Sequence, residues 1–140
     1  MAAGYQFETD HSQSGRVLFG SDRLTRSLPR PLTPLIGRER EIQDACELLS
    51  RDDVRLMTLT GPGGIGKTRF SLAIADRLSD DFTNGVIWVP LASVERADHV
   101  VPAIAQAIGL REPGEQTYLE SLKSALREAL TLLVLDNFEH

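Results

Sequence analysis

Apolar positions along this 140-residue chain recur with two periods, and the switches between them predict an order of helices and strands. Ile42, Ala45, Cys46 and Leu49 recur at i, i+3, i+4 and i+7, which predicts a helix ending near Ser50 to Asp52. Val54 to Thr60 is apolar and β-branched, the pattern of a strand buried on at least one face. A glycine-rich break follows. Phe70, Ala73, Ile74 and Leu78 then form a core-facing stripe on a helix running from Lys67 to about Ser79. Asp80-Asp81 and Asn84-Gly85 interrupt that pattern and predict a turn before a second strand, Val86 to Val89, in which Trp88 reads as core. Asp98 is placed to cap a helix with Val101, Ile104, Ala105 and Ile108 on one face, Pro102 in its first turn and Gly109 at its end. Thr117-x-x-Glu120 matches a capping box, with Leu119, Leu122, Leu126 and Ala129 as the next buried stripe. The series closes on Leu132-Leu133-Val134-Leu135-Asp136, a strand that carries an acid to its C-terminal end. Alternation of this kind predicts an α/β fold with a parallel sheet.

Composition narrows the class. With 41% hydrophobic and 25% charged residues, the chain reads as one soluble globular domain with a single core. A net charge of −5 argues against a nucleic-acid footprint in this segment, because phosphate backbones select a basic face. No apolar run approaches the ~18 residues of a membrane span. Glu8 and Asp10 stand where a secretory signal would be apolar, so a cytoplasmic protein without membrane contact is expected. Cys46, the single cysteine, falls at helical spacing among apolar residues and reads as a buried structural thiol. His11, His99 and His140 have no second ligand at metal-site spacing, so no zinc site is expected. Residues 1–34 are expected to be a disordered, polar, Pro-rich tail ending in Pro29, Pro31 and Pro34. Between Arg16 and Arg40 six arginines face only Asp22 and Glu39, a solvated basic stretch or, alternatively, a site for an acidic partner.

The chemistry lies in the break between the first strand and the second helix. Gly61-Pro62-Gly63-Gly64-Ile65-Gly66-Lys67-Thr68 fits G-x-x-x-x-G-K-[ST], the phosphate-binding loop of P-loop NTPases, in the strand-loop-helix context the motif needs. Gly61, Gly63, Gly64 and Gly66 let the backbone curl its N–H groups toward one point, at which the following helix aims its positive end. Lys67 is expected to reach the β- and γ-phosphates and Thr68 to ligate Mg²⁺, while Ile65 and Arg69 complete the candidate nucleotide-contacting set. Asp136, at the end of a buried strand beyond two helical patterns, is the candidate Walker B acid opposite Thr68 on the Mg²⁺. Lys67 and Asp136 are therefore the candidate catalytic pair.

Leu35-Ile36-Gly37-Arg38-Glu39-Arg40-Glu41, the P-loop and Leu132 to Glu139 occur in the order seen in the NB-ARC or AP-ATPase branch of the STAND NTPases, which the chain resembles from about Leu35 to His140. The resemblance implies that Ile36 and Arg38 contact the adenine base. It also implies a three-layer, ASCE-type parallel sheet flanked by helices, ATP/ADP and Mg²⁺ as cofactors, and a switch role in a larger transcriptional or signalling regulator. In such regulators tetratricopeptide-type repeats or a helix-turn-helix often follow the ATPase. The partners implied are an adenine nucleotide and protein modules, including downstream domains of the same polypeptide.

Two departures temper this expectation. Many members of the family carry a second Asp after the Walker B acid, where this chain has Asn137, and an amide cannot act as a general base at neutral pH. Glu139 is a speculative substitute, so slow ATP turnover or a nucleotide-held switch is expected. The wider P-loop class also inserts a later strand between the P-loop and Walker B strands. Since the sequence stops at His140, the expectation is a fragment truncated after the Walker B strand, with three parallel strands and a gap or an uncovered edge. The alternatives are a binding-only remnant without ATPase activity and a small P-loop kinase. The kinase is disfavoured because Arg69, Arg77, Arg96, Arg111 and Arg127 fall mostly at helix-surface spacing and do not cluster in a lid.

Overall fold

The computed structural model describes residues 28–31, 33, 35–110 and 117–138, together with the backbone of 6–10. In chain order the elements are β1 (Gln6–Asp10), α1 (Glu39–Leu49), β2 (Leu56–Thr60), α2 (Lys67–Arg77) and β3 (Val86–Pro90), then α3 (Val100–Ala107), α4 (Tyr118–Leu126) and β4 (Leu132–Asp136). A 3₁₀ turn, Ala97–His99, precedes α3. They divide into two compact units, one holding β1 and Pro29–Leu78, the other Ser79–His140 as far as it is described.

In the first unit α1 and α2 pack together, though Leu49 and Ala73, expected in their buried stripes, are only half-buried. Ile42, Ala45 and Cys46 are buried on α1, and Phe70, Leu72, Ile74, Ala75 and Leu78 along and just beyond α2. The thiol of Cys46 is accordingly a core group. Ser50 stops α1: its N–H and its hydroxyl both donate to the Cys46 carbonyl at 2.9 Å, satisfying an acceptor the helix end leaves open.

Two expectations fail in this unit. Gln6–Asp10, inside the stretch expected to be an irregular tail, forms β1 and pairs antiparallel with β2, from Gln6 opposite Thr60 to Asp10 opposite Leu56. Its strand signal is the alternation Tyr5-Gln6-Phe7-Glu8-Thr9-Asp10, which has the period of two that a pleated strand requires. Of the expected parallel sheet one pair is present, β3 with β4, while β2 belongs to a two-stranded sheet with β1. Nor is β2 buried on a face. Its residues are half-buried or exposed because a two-stranded ribbon encloses little of its own surface, and Leu56 is 55% exposed.

The second unit supplies the parallel pairing the alternation predicts. β3 and β4 run in register from Val86 opposite Leu132 to Pro90 opposite Asp136, with α3 packed on β3 and on α4. Ile87, Val89, Leu91, Ile108 and Leu122 form the core. Asn84 fixes the register: its N–H donates to the Leu130 carbonyl at 3.0 Å, and its Oδ1 accepts from the Leu130 N–H at 2.9 Å. The Thr131 hydroxyl adds a bond to the Gly85 carbonyl at 2.7 Å. At the end of α3, Gly109 takes φ +83, which lets the Leu110 N–H reach back to the Ala105 carbonyl at 2.9 Å.

The capping box forms as its residue types require. The Glu120 N–H donates to Thr117 Oγ1 at 3.2 Å, and the Thr117 N–H to Glu120 Oε2 at 3.0 Å. Those bonds favour the charged carboxylate, so the Thr117 N–H first and its hydroxyl second hold Glu120 below the usual glutamate range. Asp98, by contrast, does not cap α3. It pairs with Arg96 at 2.7 Å, and the 3₁₀ turn occupies the capping position instead. Leu119 is another correction. It is exposed while Leu122 is buried, because α4 turns only one narrow face inward. Trp88, expected in the core, is half-buried on β3.

Candidate functional site

The glycine-rich loop connects the end of β2 at Thr60 to the start of α2 at Lys67. Gly66 is the residue before the helix and holds φ +96, a left-handed conformation that a β-carbon would strain. Gly64, at φ +78, makes the same demand. A β-carbon built at Gly63, Gly64 or Gly66 would meet nothing within 4 Å, so the loop borders open space there. Ile65 is the loop's apolar anchor: its N–H donates to the Pro62 carbonyl at 3.4 Å, and its Cγ2 lies 3.5 Å from where a β-carbon on Gly61 would stand.

Within α2 the first intrahelical bond runs from the Phe70 N–H to the Gly66 carbonyl at 2.9 Å. The N–H groups of the turn before it have no intrahelical acceptor, and they carry the positive end of the helix dipole. Lys67 folds back over the loop, its Nζ donating to the Gly61 carbonyl at 3.0 Å and to the Pro62 carbonyl at 3.5 Å. Thr68 follows, half-buried, and its carbonyl accepts from the Ser71 hydroxyl at 2.9 Å. A phosphate fits this arrangement. The loop offers open space, backbone donors, a dipole and an ammonium group that already lies over two loop carbonyls. Magnesium suits the hydroxyl of Thr68, since it is bound through hard oxygens and shared with substrate phosphates.

Upstream residues belong to the same unit. Ile36 is 82% exposed, and Gly37 turns the chain at φ +76 while its N–H donates to Glu39 Oε1 at 3.2 Å. Arg38 starts α1 and approaches Glu41 at 3.6 Å. Arg69 does something the sequence does not foretell. Its Nη2 donates to the Thr33 carbonyl at 2.7 Å and to Thr33 Oγ1 at 3.0 Å, tying the chain ahead of Ile36 to the start of α2. Thr33 is the partner that sequence reasoning missed. A clue existed in the sign of Arg69, a cation at the end of a helix that favours anions.

Ile36, Arg38 and the residues from Gly61 to Arg69 are therefore gathered in one unit, and Asp136 lies in the other. There Asp136 ends β4 and its carbonyl accepts from the Leu91 N–H at 2.9 Å. Asn137 takes φ +62, a conformation Asn adopts more readily than most side chains. With Phe138 it borders a cleft of about 180 Å³ whose other walls are Leu91, Val94, Arg96, Ala97 and Val100. Glu139, the speculative substitute base, lies outside the described residues.

Comparison with known proteins gives the arrangement a family. The NB-ARC domain matches residues 38–138. An uncharacterized protein of Mycobacterium tuberculosis is 40% identical over 114 residues, covering 81% of this chain and 28% of that protein. A candidate HTH-type transcriptional regulator of the same organism is 36% identical over 86 residues, 61% of this chain and 10% of that protein. A candidate disease resistance protein of Arabidopsis thaliana is 34% identical over 83 residues, 57% of this chain and 9% of that protein. The chain thus spans less than a third of the length of these curated relatives. No solved structure matches it. With most of its length matched by the family and the phosphate loop built as described, the chain belongs to the NB-ARC family and, through it, to the P-loop NTPases.

Proposed function

We propose that this chain is the adenine-nucleotide-binding part of a regulatory NTPase, in which ATP or ADP held with Mg²⁺ biases the arrangement of further protein modules. The observation that carries the reading is the loop from Gly61 to Thr68 at the start of α2, with Lys67 Nζ on the loop carbonyls at 3.0 and 3.5 Å. Family membership supports nucleotide binding, and a relative named as a transcriptional regulator supports a regulatory setting. In this reading Lys67 reaches the β- and γ-phosphates, and the backbone donors from Gly63 to Thr68 hold the same oxygens. Ile36 and Arg38 meet the base. Thr68 supplies an oxygen ligand to Mg²⁺, which neutralises charge developing on the phosphates, and Asp136 keeps its place as the candidate Walker B acid. The nucleotide then acts as a switch, because γ-phosphate contacts exist in one state and not in the other.

Asn137 favours a second reading, in which the nucleotide is bound and not turned over. It stands directly after Asp136 with an amide that cannot take a proton from water, and its φ of +62 suits the turn it makes. Titration of the chain and of Lys67→Ala with MgATP and MgADP, followed by assay of γ-phosphate release, tests both. Binding lost in the variant with slow release supports the switch. Binding lost with no release supports the binding-only form, and equal binding by both proteins refutes the nucleotide site altogether.

A further inference from the structure

We infer that Arg69 is a positioning residue that couples base recognition to the phosphate loop by anchoring the segment that carries Ile36. The inference rests on the nucleotide reading above and adds a specificity device to it. Arg69 stands in the first turn of α2, where a cation opposes the helix dipole and no acidic side chain shares the turn. Its guanidinium instead makes two charge-assisted bonds to one residue, the Thr33 carbonyl at 2.7 Å and the Thr33 hydroxyl at 3.0 Å.

Helix geometry separates this role from phosphate binding. Positions 67 and 69 lie about 200° apart around the helix axis, so their side chains leave α2 on opposite sides. Lys67 turns to the Gly61 and Pro62 carbonyls, and Arg69 turns to Thr33. From Thr33 to Ile36 is three residues, a reach of at most about 10 Å. The anchor therefore confines Ile36, which is 82% exposed, to a short arc near the start of the helix that holds the phosphates. An apolar side chain kept in the open at a fixed distance from a phosphate grip suits the flat face of a nucleobase.

Inorganic tripolyphosphate reads the loop alone, whereas ATP reads the loop and the base, so their affinities with Mg²⁺ separate the two roles in the full 140-residue chain. Arg69→Gln is expected to weaken MgATP roughly tenfold, about the worth of one or two hydrogen bonds, and to leave tripolyphosphate within roughly twofold. Arg69→Lys, which keeps the charge on a more flexible stem, should fall between. Thr33→Val removes the hydroxyl and keeps the carbonyl, so its loss should be smaller, and the double variant should bind ATP no worse than Arg69→Gln alone. Equal losses for ATP and tripolyphosphate in Arg69→Gln, or additive losses in the double variant, would overturn the inference. A wild-type chain that binds tripolyphosphate as tightly as ATP would also overturn it while leaving the phosphate site standing. Failure of the wild type to bind either would instead sink the nucleotide reading itself. Should Arg69→Gln melt before it can be titrated, Thr33→Val carries the same ATP-against-tripolyphosphate comparison.

Discussion

In the unit built on β3 and β4, Ile87, Val89 and Leu91 are almost wholly buried, whereas in the phosphate-loop unit no residue of β2 is buried and Leu56 stands 55% exposed. The loop unit keeps its dense packing elsewhere, between α1 and α2, where Ala45, Phe70 and Ala75 are fully covered. The contrast locates the support of the candidate site. The glycine loop is held through the helix it opens, and the strand beneath it contributes a backbone track. In the other unit β3 lies in the core while β4, expected to be buried, is half-buried throughout, and chemistry is confined to what leaves its C-terminal end, Asp136 and Asn137.

The contrast can be broken first at Phe70. Phe70→Ala should cost about 3–5 kcal/mol and remove amide-exchange protection from α1 and α2 while α3, β3 and β4 keep theirs. Loss of protection across all of these elements alike would show that the packing is shared. A smaller effect, on binding, is expected from Lys67→Ala. It should weaken MgATP about 100-fold, near 2.7 kcal/mol, in a titration of both proteins.

Third in size is the capping box of α4. Thr117→Ala should lower stability by about 1 kcal/mol and leave nucleotide affinity untouched. The box also carries a pH signature. Glu120 is held below its ordinary range in the folded chain, so its contribution is complete above the unfolded-state value and lost as pH falls through the folded one. Thermal melts of Glu120→Gln should consequently lose less on acidification than those of the wild type. Smallest of all is Leu56→Thr, expected within about 0.5 kcal/mol because the side chain is mostly in water already. A large loss there would mean that β2 is a core strand after all.

How much of this was legible in the sequence differs between the two units. The phosphate loop could be read residue by residue, because glycine at a left-handed position and lysine at a helix start are local requirements. The capping box was legible for the same reason, and so was the buried face of α1. The partner of β2 was not, since a strand's edge records no preference between a parallel neighbour and an antiparallel one. Period-two alternation at Tyr5 to Asp10 was visible, yet polar composition and nearby prolines spoke more loudly for an irregular tail. Leu119 misled because spacing alone cannot tell which of several apolar residues on a short helix faces inward. The bond from Arg69 to Thr33 joins residues 36 positions apart, beyond the reach of any local rule.

The antiparallel partnership of Gln6–Asp10 with Leu56–Thr60 has a practical corollary. Anyone trimming the first ten amino acids to obtain a tidier domain would strip a row of backbone donors and acceptors from the ribbon that leads to Gly61. Bare ribbon of that sort recruits whatever strand is nearest, and in a concentrated solution of the trimmed protein the nearest would be a second molecule.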